Sequence, residues 1–405
     1  MKIINLNTND IRGGAARAAY RIHKGLLNKN IDSEMLVQQK DSDDITVKKI
    51  NSNFLNIPAL STVRMNRLPL KILKTNEKEL WSLNYLPTTV NKKIKNINPD
   101  IVHLHWIGSG FISIKDLGKI RKPIVWTIHD MWAFTGGFHY SQKYIDHDKS
   151  FLSKQIWQRK NKYWKNLNLT IVSPSNWLAN QAKKSKLLKN KTITVIPNGL
   201  NTKVFKPINK EVAKNILNLP PNKKYILFGA TNATSDKRKG YEYMKKALNI
   251  YKQKYKKNNE IEALVFGASR PKNEEDIAIK INYLGKISDD TTLALIYSAS
   301  ELVIIPSLQD NLPNIVMEAL SCGTPCVAFN VGGIPDMINH KENGYLANPY
   351  LSEELAEGID WILKDEDERE KISLKARKKV LDNYTLEKVA SQYVQLYKNI
   401  LSTNK

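Results

Sequence analysis

Two carboxylates flank a polar turn in the segment P-S-L-Q-D-N-L-P-N-I-V-M-E-A-L, residues 306–320. Seven residues separate Asp310 from Glu318, and Pro313 lies between them. Proline suits the first turn of a helix, because the N–H group that it lacks would have no intrahelical partner there. The N–H groups that follow favour an anion such as a phosphate. A carboxylate one turn further along can accept hydrogen bonds from a ribose diol, although helix-dipole and capping roles would also explain both acids.

Basic and histidine side chains supply the other candidate chemistry. The cluster Lys237-Arg238-Lys239 follows an apolar run and precedes a glycine, so it could neutralise a diphosphate leaving group. A solvated turn is the default interpretation of such a cluster taken by itself. His129 lies at the end of the strand-like run I-V-W-T-I and is followed by Asp130, yet a lone histidine is more often a structural hydrogen-bonding group than a catalyst.

The sequence predicts no metal site and no membrane span. Cys322 and Cys326 have no second cysteine pair to complete a zinc site, and the histidines lack the H-E-x-x-H spacing. No apolar run approaches the roughly 18 residues that cross a bilayer, and the N-terminus lacks the pattern of a signal peptide. We therefore expect a cytoplasmic protein with reduced thiols.

Strand-like and helix-like runs alternate along the chain. Strands are predicted at 2–6, 101–105, 124–128, 169–173, 193–196, 224–230, 262–268, 302–307 and 325–329, with helices between them. This alternation predicts an α/β protein whose parallel sheets are covered on both faces. The pattern restarts after the linker-like segment 196–207, so we expect domains at 1–200 and 201–384 and a final helix, 385–405, that returns to the first domain.

Several spaced motifs together resemble one known family. The segment 306–336, which continues S-C-G-T-P-C-V-A-F-N-V-G-G-I-P-D, resembles the family 4 glycosyltransferases. Their signature is an acidic residue, seven others, a glutamate, A-x-x-x-G-x-P and a Gly-Gly turn. Residues 196–207 look like the interdomain linker of that family, and T-I-H-D-M-W-A-F-T-G-G-F-H-Y (127–140) is similar to a segment of its bacterial surface-polysaccharide members. The resemblance implies the GT-B fold, in which two doubly wound, Rossmann-like domains face a central cleft.

The resemblance implies a donor site for a nucleotide-diphosphate sugar. Glu318 would bind the ribose, Asp310 the hydroxyls of the sugar and Lys239 the diphosphate, while His129 would face the donor sugar. These four are the expected catalytic residues. Further donor contacts are expected from Gly13, Gly14, Arg238, Asn311, Leu312, Asn314, Ile315 and Ile287.

Two positions depart from the family pattern. Asp310 is one methylene shorter than the glutamate that usually stands there, so its reach is reduced. Ala230 occupies the position of a phosphate-binding arginine, and Lys237 or Arg238 could restore that charge.

The resemblance also implies an acceptor site in the first domain. Arg17 lies in the loop G-G-A-A-R and is a candidate to bind a phosphate or carboxylate of the acceptor. Asp130, Gly136 and Gly137 lie in the segment that is similar to polysaccharide-synthesising members, and we expect them to contact the acceptor.

The implied reaction is retaining transfer of a hexose or related sugar from a UDP- or GDP-sugar to a glycan hydroxyl, without a cofactor or a metal. The family has no agreed nucleophile, so front-face attack is expected, with the departing phosphate oxygen helping to deprotonate the acceptor. Catalysis would then consist mainly of positioning and charge stabilisation. A lipid-linked glycan of cell-surface polysaccharide or lipopolysaccharide synthesis is the expected acceptor.

The net charge of +24 should draw the protein towards polyanions. Basic residues mix with apolar ones at 61–74 and with aromatic ones at 153–165, where Trp157 and Trp164 share a helix face. This face predicts either core packing or transient docking on the inner face of the cell membrane. Two other classes stay open, a nucleotide-sugar isomerase or hydrolase on a GT-B scaffold and a nucleic-acid-binding or DNA-glucosylating protein. No DNA-binding module is recognisable, so we expect no nucleic-acid partner.

Overall fold

The computed structural model of the chain describes residues 1–50, 64–66, 68, 80–141, 146, 150–230, 232–255, 260–271 and 277–403. These residues form two compact units. Unit 1 comprises Met1–Gly199 and Glu387–Lys405, and unit 2 comprises Leu200–Leu386. Each unit contains one parallel sheet, so the predicted α/β class with two doubly wound parallel sheets is confirmed.

The sheet of unit 1 has seven strands in the order β3-β2-β1-β4-β5-β6-β7. Their bounds are β1 Lys2–Asn9, β2 Asp32–Gln39, β3 Val47–Lys49, β4 Ile101–Leu104, β5 Ile124–Thr127, β6 Leu169–Ser173 and β7 Thr192–Val195. The order reverses between β1 and β4. Ligands of doubly wound sheets bind at such switch points, outside the carboxyl ends of the strands.

The sheet of unit 2 has six strands in the order β10-β9-β8-β11-β12-β13. Their bounds are β8 Lys224–Gly229, β9 Ile261–Phe266, β10 Ile281–Gly285, β11 Leu302–Ile305, β12 Cys326–Phe329 and β13 Gly344–Ala347. Here the order reverses between β8 and β11, which places the loops after these two strands side by side at one edge of the sheet.

Helices connect the strands. In chain order they are α1 Gly14–Leu27, α2 Val90–Ile97, α3 Ile114–Leu117, α4 Phe151–Trp164, α5 Asn176–Lys184, α6 Lys210–Ile216, α7 Tyr241–Tyr255, α8 Asp290–Ala299, α9 Asn314–Ser321, α10 Ser352–Leu363, α11 Glu366–Asn383 and α12 Leu386–Thr403. Within the described residues, no helix is long and apolar enough to cross a bilayer.

Both faces of each sheet are covered. In β11, Leu302 and Ile304 belong to one apolar cluster, whereas Val303 and Ile305 belong to another. Successive side chains of a strand point to opposite faces, so this strand is buried on both sides, which explains why it is a continuous apolar run. The strand β5 shows the same division between two clusters of unit 1.

The last helix, α12, packs on unit 1. Val389, Tyr393 and Tyr397 are fully buried in a cluster with apolar residues of β1, β4 and β5. These three positions recur at helical spacing, so one stripe of the helix covers one face of the first sheet.

Four strands are absent from the sequence prediction: β2, β3, β10 and β13. The strand β2 reads D-S-E-M-L-V-Q-Q, so polar residues frame its apolar centre. The others are short or lie at a sheet edge, and the residues of β10 are all half-buried. Edge strands need less apolar sequence, because one side of the strand has no neighbour.

Candidate active site

Two carboxylates of unit 2 are buried here, Asp310 in the turn between β11 and α9 and Glu318 within α9. Asp310 is 7% exposed and Glu318 is 4% exposed. Pro313 directly precedes α9 with a φ of −65°, which matches the fixed φ of proline. The helix start predicted from Pro313 is therefore present.

Asp310 lies in a cluster of cations. Lys239 donates to Oδ2 of Asp310 over 2.5 Å, and Nη1 of Arg238 lies 3.7 Å from Oδ1. Ser307 donates to Oδ2 over 3.3 Å. Burial by itself raises the pKa of Asp310, but the charges of Lys239 and Arg238 and these hydrogen bonds outweigh it and hold the pKa below its ordinary value. Asp310 is therefore ionised at neutral pH.

The two candidates to replace the missing arginine differ in position. Arg238 donates from Nη1 to the carbonyl oxygen of Gln309 over 2.8 Å and from Nη2 to Asp236 over 3.2 Å. The side chain of Lys237 is exposed. The structure thus brings Arg238, and not Lys237, to the Asp310 cluster, while Ala230 follows β8 without a charge.

Glu318 lies inside α9, where it accepts a hydrogen bond from the hydroxyl of Tyr297 over 3.0 Å. Burial, reinforced by the nearby Glu318 carboxylate, raises the pKa of Tyr297 well above its ordinary value. The tyrosine therefore stays a neutral donor and fixes one oxygen of Glu318.

The remaining donor-site candidates of unit 2 lie at the same sheet edge. Lys239 follows β8, Ile287 follows β10 and Asp310 follows β11, and the carboxyl ends of parallel strands lie at one edge. The residues between Asp310 and the first turn of α9 are buried or half-buried, namely Asn311, Leu312, Asn314 and Ile315. Ile287 packs against the apolar cluster below them.

A glycine turn supports Asp310 from the next strand. Gly332 has a φ of +59°, and a Cβ atom there would lie 1.8 Å from the carbonyl oxygen of Asp310. The backbone N–H of Gly333 donates to that oxygen over 3.2 Å. Sequence reasoning noted this Gly-Gly pair only as part of a signature, and the structure assigns it a supporting contact.

In unit 1, His129 follows β5 and stacks on a second histidine. Nε2 of His129 lies 3.3 Å from Nδ1 of His105, and the two rings are 5.6 Å apart and nearly parallel. Burial lowers the pKa of His129 to about 4, against the attraction of the Asp130 carboxylate. The imidazole is therefore neutral at pH 7.

Asp130 is held by donors of its own unit. Its carboxylate accepts from Nε1 of Trp106 over 2.8 Å, from Nδ1 of His139 over 2.6 Å and from the backbone N–H of Trp132 over 2.9 Å. Burial raises the pKa of Asp130, but His139 and these hydrogen bonds outweigh it and lower the pKa overall. These contacts make Asp130 an anchor of the loop after β5, a role that sequence reasoning missed.

A small cavity opens beside this anchor at the carboxyl ends of β4 and β5. Three indoles and three imidazoles dominate its wall. Its lining residues are His105, Trp106, Ile107, Gly108, Trp126, Ile128, His129, Asp130, Trp132, Ala133 and His139. Trp126, Trp132, His105 and His139 are buried, so these rings mainly pack the end of the sheet around Asp130.

The glycine candidates of unit 1 divide into two groups. Gly13 precedes α1 and Gly14 begins it, and Arg17 is half-buried in its first turn. Gly136 and Gly137 are buried in packing contacts instead. A Cβ atom on Gly136 would collide with Ser153 of α4, and one on Gly137 would meet Ile156 and Trp81.

The aromatic residues of α4 have different environments. Trp164 is 3% exposed, and its ring contacts Trp126 and Trp132. Lys160 is also buried, and its ammonium group donates to the carbonyl oxygens of Trp132 and Thr135. Trp164 therefore belongs to the core, while Trp157 is half-buried. Most of the basic and apolar segment 61–74 lies outside the described residues.

Within the described ranges, no group of three or more His, Cys, Asp or Glu side chains could hold a metal ion. Cys322 and Cys326 are free, buried thiols. Burial raises the pKa of both, so neither is a reactive thiolate.

Two family models match successive parts of the chain. The model of Glycosyltransferase Family 4 matches residues 12–204, and the model of Glycosyl transferases group 1 matches residues 209–379. An uncharacterized glycosyltransferase of Methanocaldococcus jannaschii is 26% identical over 74% of this chain and 75% of that protein. An N-acetyl-alpha-D-glucosaminyl L-malate synthase of Bacillus anthracis is 31% identical over 31% of this chain and 32% of its own length.

Solved structures share the fold across nearly the whole chain. Sucrose-phosphate synthase from Thermosynechococcus elongatus has a TM-score of 0.73 at 20% identity and covers 100% of both chains. Anabaena HepE in complex with UDP-glucose has a TM-score of 0.67 at 15% identity, covering 98% of this chain and 100% of that one. WaaG, a glycosyltransferase involved in lipopolysaccharide biosynthesis, also has a TM-score of 0.67 at 15% identity, over 98% and 99% of the two chains.

At such identities the structural likeness establishes the fold only, and it confirms the predicted GT-B fold. The family models establish more, because together they extend over most of both units. The chain therefore belongs to the family 4 glycosyltransferases, retaining enzymes that transfer a sugar from a nucleotide-sugar donor.

Proposed function

We propose that this enzyme transfers a hexose or related sugar from a UDP-sugar to a hydroxyl of a lipid-linked glycan, in the synthesis of a cell-surface polysaccharide or lipopolysaccharide. The observation that carries the donor part is the buried Asp310 between Lys239 and Arg238, beside the start of α9. Two cations and a helix N-terminus all favour a phosphate group.

Each group at this edge of unit 2 has a proposed task. Lys239 and Arg238 neutralise the diphosphate, Glu318 accepts from the ribose diol and Asp310 accepts from hydroxyls of the sugar. Ile287 lies near the base. Backbone groups of the loop after β11 and of the start of α9 contact the sugar and the phosphates. The residues that contribute them are Asn311, Leu312, Asn314 and Ile315.

The charges of the cluster suggest how it acts on the reaction. Without a donor, Lys239 and Arg238 face the Asp310 carboxylate. A diphosphate carries more negative charge than one carboxylate, so it competes for both cations and gains negative charge as the glycosidic bond breaks. An Asp310 carboxylate that accepts hydrogen bonds from Ser307 and from the sugar hydroxyls is a weak nucleophile, which fits front-face attack of the acceptor rather than a covalent glycosyl-enzyme.

Unit 1 supplies the proposed contacts to substrate hydroxyls and to the acceptor. His129 and the aromatic cavity beside it lie at the carboxyl ends of β4 and β5, where doubly wound sheets bind ligands. Gly13 and Gly14 open α1, so their loop is proposed to face the donor diphosphate and the acceptor, with Arg17 binding a phosphate or carboxylate of the acceptor. Asp130, Gly136 and Gly137 support this surface through the loop after β5.

The lipid-linked acceptor and a peripheral location on the inner face of the cell membrane rest on charge and on likeness. The net charge is +24, which favours anionic lipid headgroups. On α4, Phe151 is 72% exposed, and Lys154 and Lys162 are exposed as well. The structurally similar WaaG is involved in lipopolysaccharide biosynthesis, and HepE binds UDP-glucose.

A thermal-shift screen with UDP-, GDP- and dTDP-sugars tests the donor. We expect UDP-sugars to raise the unfolding temperature most, because a ligand that binds only the folded state stabilises it. Incubation with the donor alone should then release sugar much more slowly than incubation with a lipid-linked glycan extract. No shift with any nucleotide, or sugar release that does not depend on the extract, would overturn the proposal.

A further inference from the structure

A line of buried and half-buried polar side chains crosses unit 1 from a surface loop to His129. It begins at Asp44, passes through Thr46, His23 and Ser33, and continues through Asn5 and His105. The neighbouring polar atoms lie 2.5, 2.8, 2.8, 2.9, 3.4 and 3.3 Å apart, in order along the line. Every member belongs to the first sheet, to α1 or to their loops.

The first link of this line has a fixed direction. A carboxylate accepts hydrogen bonds and has none to donate. Asp44 also accepts from Tyr20 and Lys24, and although burial raises its pKa, the hydrogen bonds from Thr46, Lys24 and Tyr20 lower the pKa overall. Because Asp44 is ionised, the hydroxyl of Thr46 must donate to it.

The donor and acceptor roles of the next hydrogen bonds follow from this first one. Burial lowers the pKa of His23 to about 4 and also lowers the pKa of His105, so both rings are neutral at pH 7 and have one donor and one acceptor nitrogen. The hydroxyl of Thr46 already donates its one hydrogen to Asp44 and can only accept from His23, so Nε2–H of His23 donates to Thr46. Nδ1 of His23 then accepts from the hydroxyl of Ser33, and Ser33 accepts from the amide of Asn5.

A second, independent contact orients Asn5. Its Nδ2 also donates to the backbone carbonyl oxygen of Glu34, over 3.4 Å, and a carbonyl oxygen accepts only. Oδ1 of Asn5 therefore faces Nε2 of His105, which must carry the proton. Nδ1 of His105 is then an acceptor, and the group that faces it is Nε2 of His129.

We propose that this directional hydrogen-bond chain fixes His129 as the tautomer with its proton on Nε2, so that Nδ1 is a hydrogen-bond acceptor. Asn5 and His105 are positioning residues, because they act through His129. In the proposed function, on which this inference rests, His129 accepts a hydrogen bond from a substrate hydroxyl. It would discriminate against a substrate that offers an ether or carbonyl oxygen at that place, since two acceptors leave each other unpaired.

The tautomer can be measured directly in the whole protein. With ¹⁵N-labelled histidine, long-range ¹H–¹⁵N correlation spectra show which ring nitrogen carries the proton, and His129→Gln assigns the signals of His129. We expect neutral rings with the proton on Nε2 for both His105 and His129 at pH 7. A proton on Nδ1 of His129, or a charged ring, would overturn the proposal.

Asn5→Leu tests the positioning role, because it removes the acceptor of His105 and keeps a side chain of similar size. We expect a mixture of His129 tautomers and a kcat/KM for nucleotide-sugar turnover that is about fivefold to tenfold lower, as expected for one hydrogen bond. The affinity for UDP, which has no sugar, should be unchanged. If Asn5→Leu does not fold, the wild-type tautomer decides the question.

Tyr397→Phe is the matched control. It removes a buried hydrogen bond to His103, whose ring packs 4.1 Å from that of His105, without removing a member of the chain. It should change neither the tautomer nor the kinetics, and an equal loss in both variants would overturn the positioning role. Failure of wild-type protein to bind UDP would refute the proposed function and leave the tautomer result standing, so the two failures are distinguishable.

Discussion

The protonation state and pairing of the Asp310 carboxylate are set by its neighbouring cations. Lys239 is 2.5 Å away and Arg238 completes the cluster, so the carboxylate is ionised and already paired. Removing one member of such a buried pair leaves an uncompensated charge. The pairing therefore keeps in place the two cations that we propose bind the diphosphate. The sequence predicts Lys239 there, with Arg238 only as an alternative.

Arg238 should contribute to diphosphate binding and Lys237 should not. Arg238→Ala removes a guanidinium that can make charge-assisted hydrogen bonds worth about 1.5–3 kcal/mol. We expect calorimetric titration to show UDP affinity about 10- to 100-fold weaker. Lys237→Ala is the matched control, because the side chain of Lys237 is exposed. Equal losses in the two variants would contradict the assignment of Arg238.

At the scale of elements, the turn after β12 supports the turn after β11. Gly332 leaves no room for a side chain, because a Cβ atom would lie 1.8 Å from the carbonyl oxygen of Asp310. The two turns can pack this closely only because β11 and β12 are parallel neighbours whose carboxyl ends lie together. A glycine far along the sequence thus helps to position a donor-site residue.

Gly332→Ala should destabilise unit 2 more than Gly285→Ala does. Both positions have positive φ, which costs about 1–2 kcal/mol for alanine. A Cβ atom on Gly285 would meet nothing within 4 Å, so that variant isolates the backbone strain. Gly332→Ala adds a collision that costs about 1–3 kcal/mol more and should also weaken UDP binding. Urea unfolding and calorimetry would measure both effects, and equal stability of the two variants would refute the supporting contact.

The elements show where sequence prediction works. The run L-V-I-I, residues 302–305, is buried on both faces, so its composition predicts a strand directly. The strand β2 has neighbours on both sides but begins and ends with polar residues, and Ser33 serves the buried hydrogen-bond chain. The polar residues of β2 therefore weakened the pattern that predicts a strand.

At the scale of the whole molecule, contacts between distant residues limit what the sequence can predict. Asp310, Glu318 and the cluster at Lys239 were found because short motifs contain them. Asn5 and His105 are 100 residues apart, and parallel pairing of β1 with β4 brings them together. No local sequence pattern marks either residue, so the hydrogen-bond chain that ends at His129 could be identified only from the structure.

The buried histidines predict how unit 1 responds to acid. Burial lowers the pKa of His23 and His129 to about 4 and that of His103 to about 3. The unfolded chain binds these protons near pH 6.5, so stability is complete above that pH and falls as the pH drops towards 4. Each histidine should contribute a slope of about 1.4 kcal/mol per pH unit in this window.

Urea unfolding followed by tryptophan fluorescence measures this slope, since every tryptophan except Trp361 lies in unit 1. His340→Gln is a suitable control, because His340 is exposed and belongs to unit 2. Carboxylates with lowered pKa values, such as Asp130, titrate below about pH 4 and are separable. A free energy of unfolding that is constant between pH 6.5 and 4.5 would show that the histidines are not buried as neutral rings.

The central claim is that Glu318 holds the ribose of a nucleotide donor, and a chemical double-mutant cycle tests it most directly. Calorimetry would compare UDP with 2′,3′-dideoxy-UDP on the wild-type enzyme and on Glu318→Gln, which keeps the side-chain volume. We predict that the substitution weakens UDP about tenfold and leaves the affinity for the dideoxy compound nearly unchanged, because the lost hydrogen bonds need the diol. An equal loss for both ligands, or no loss for UDP, would contradict the assignment.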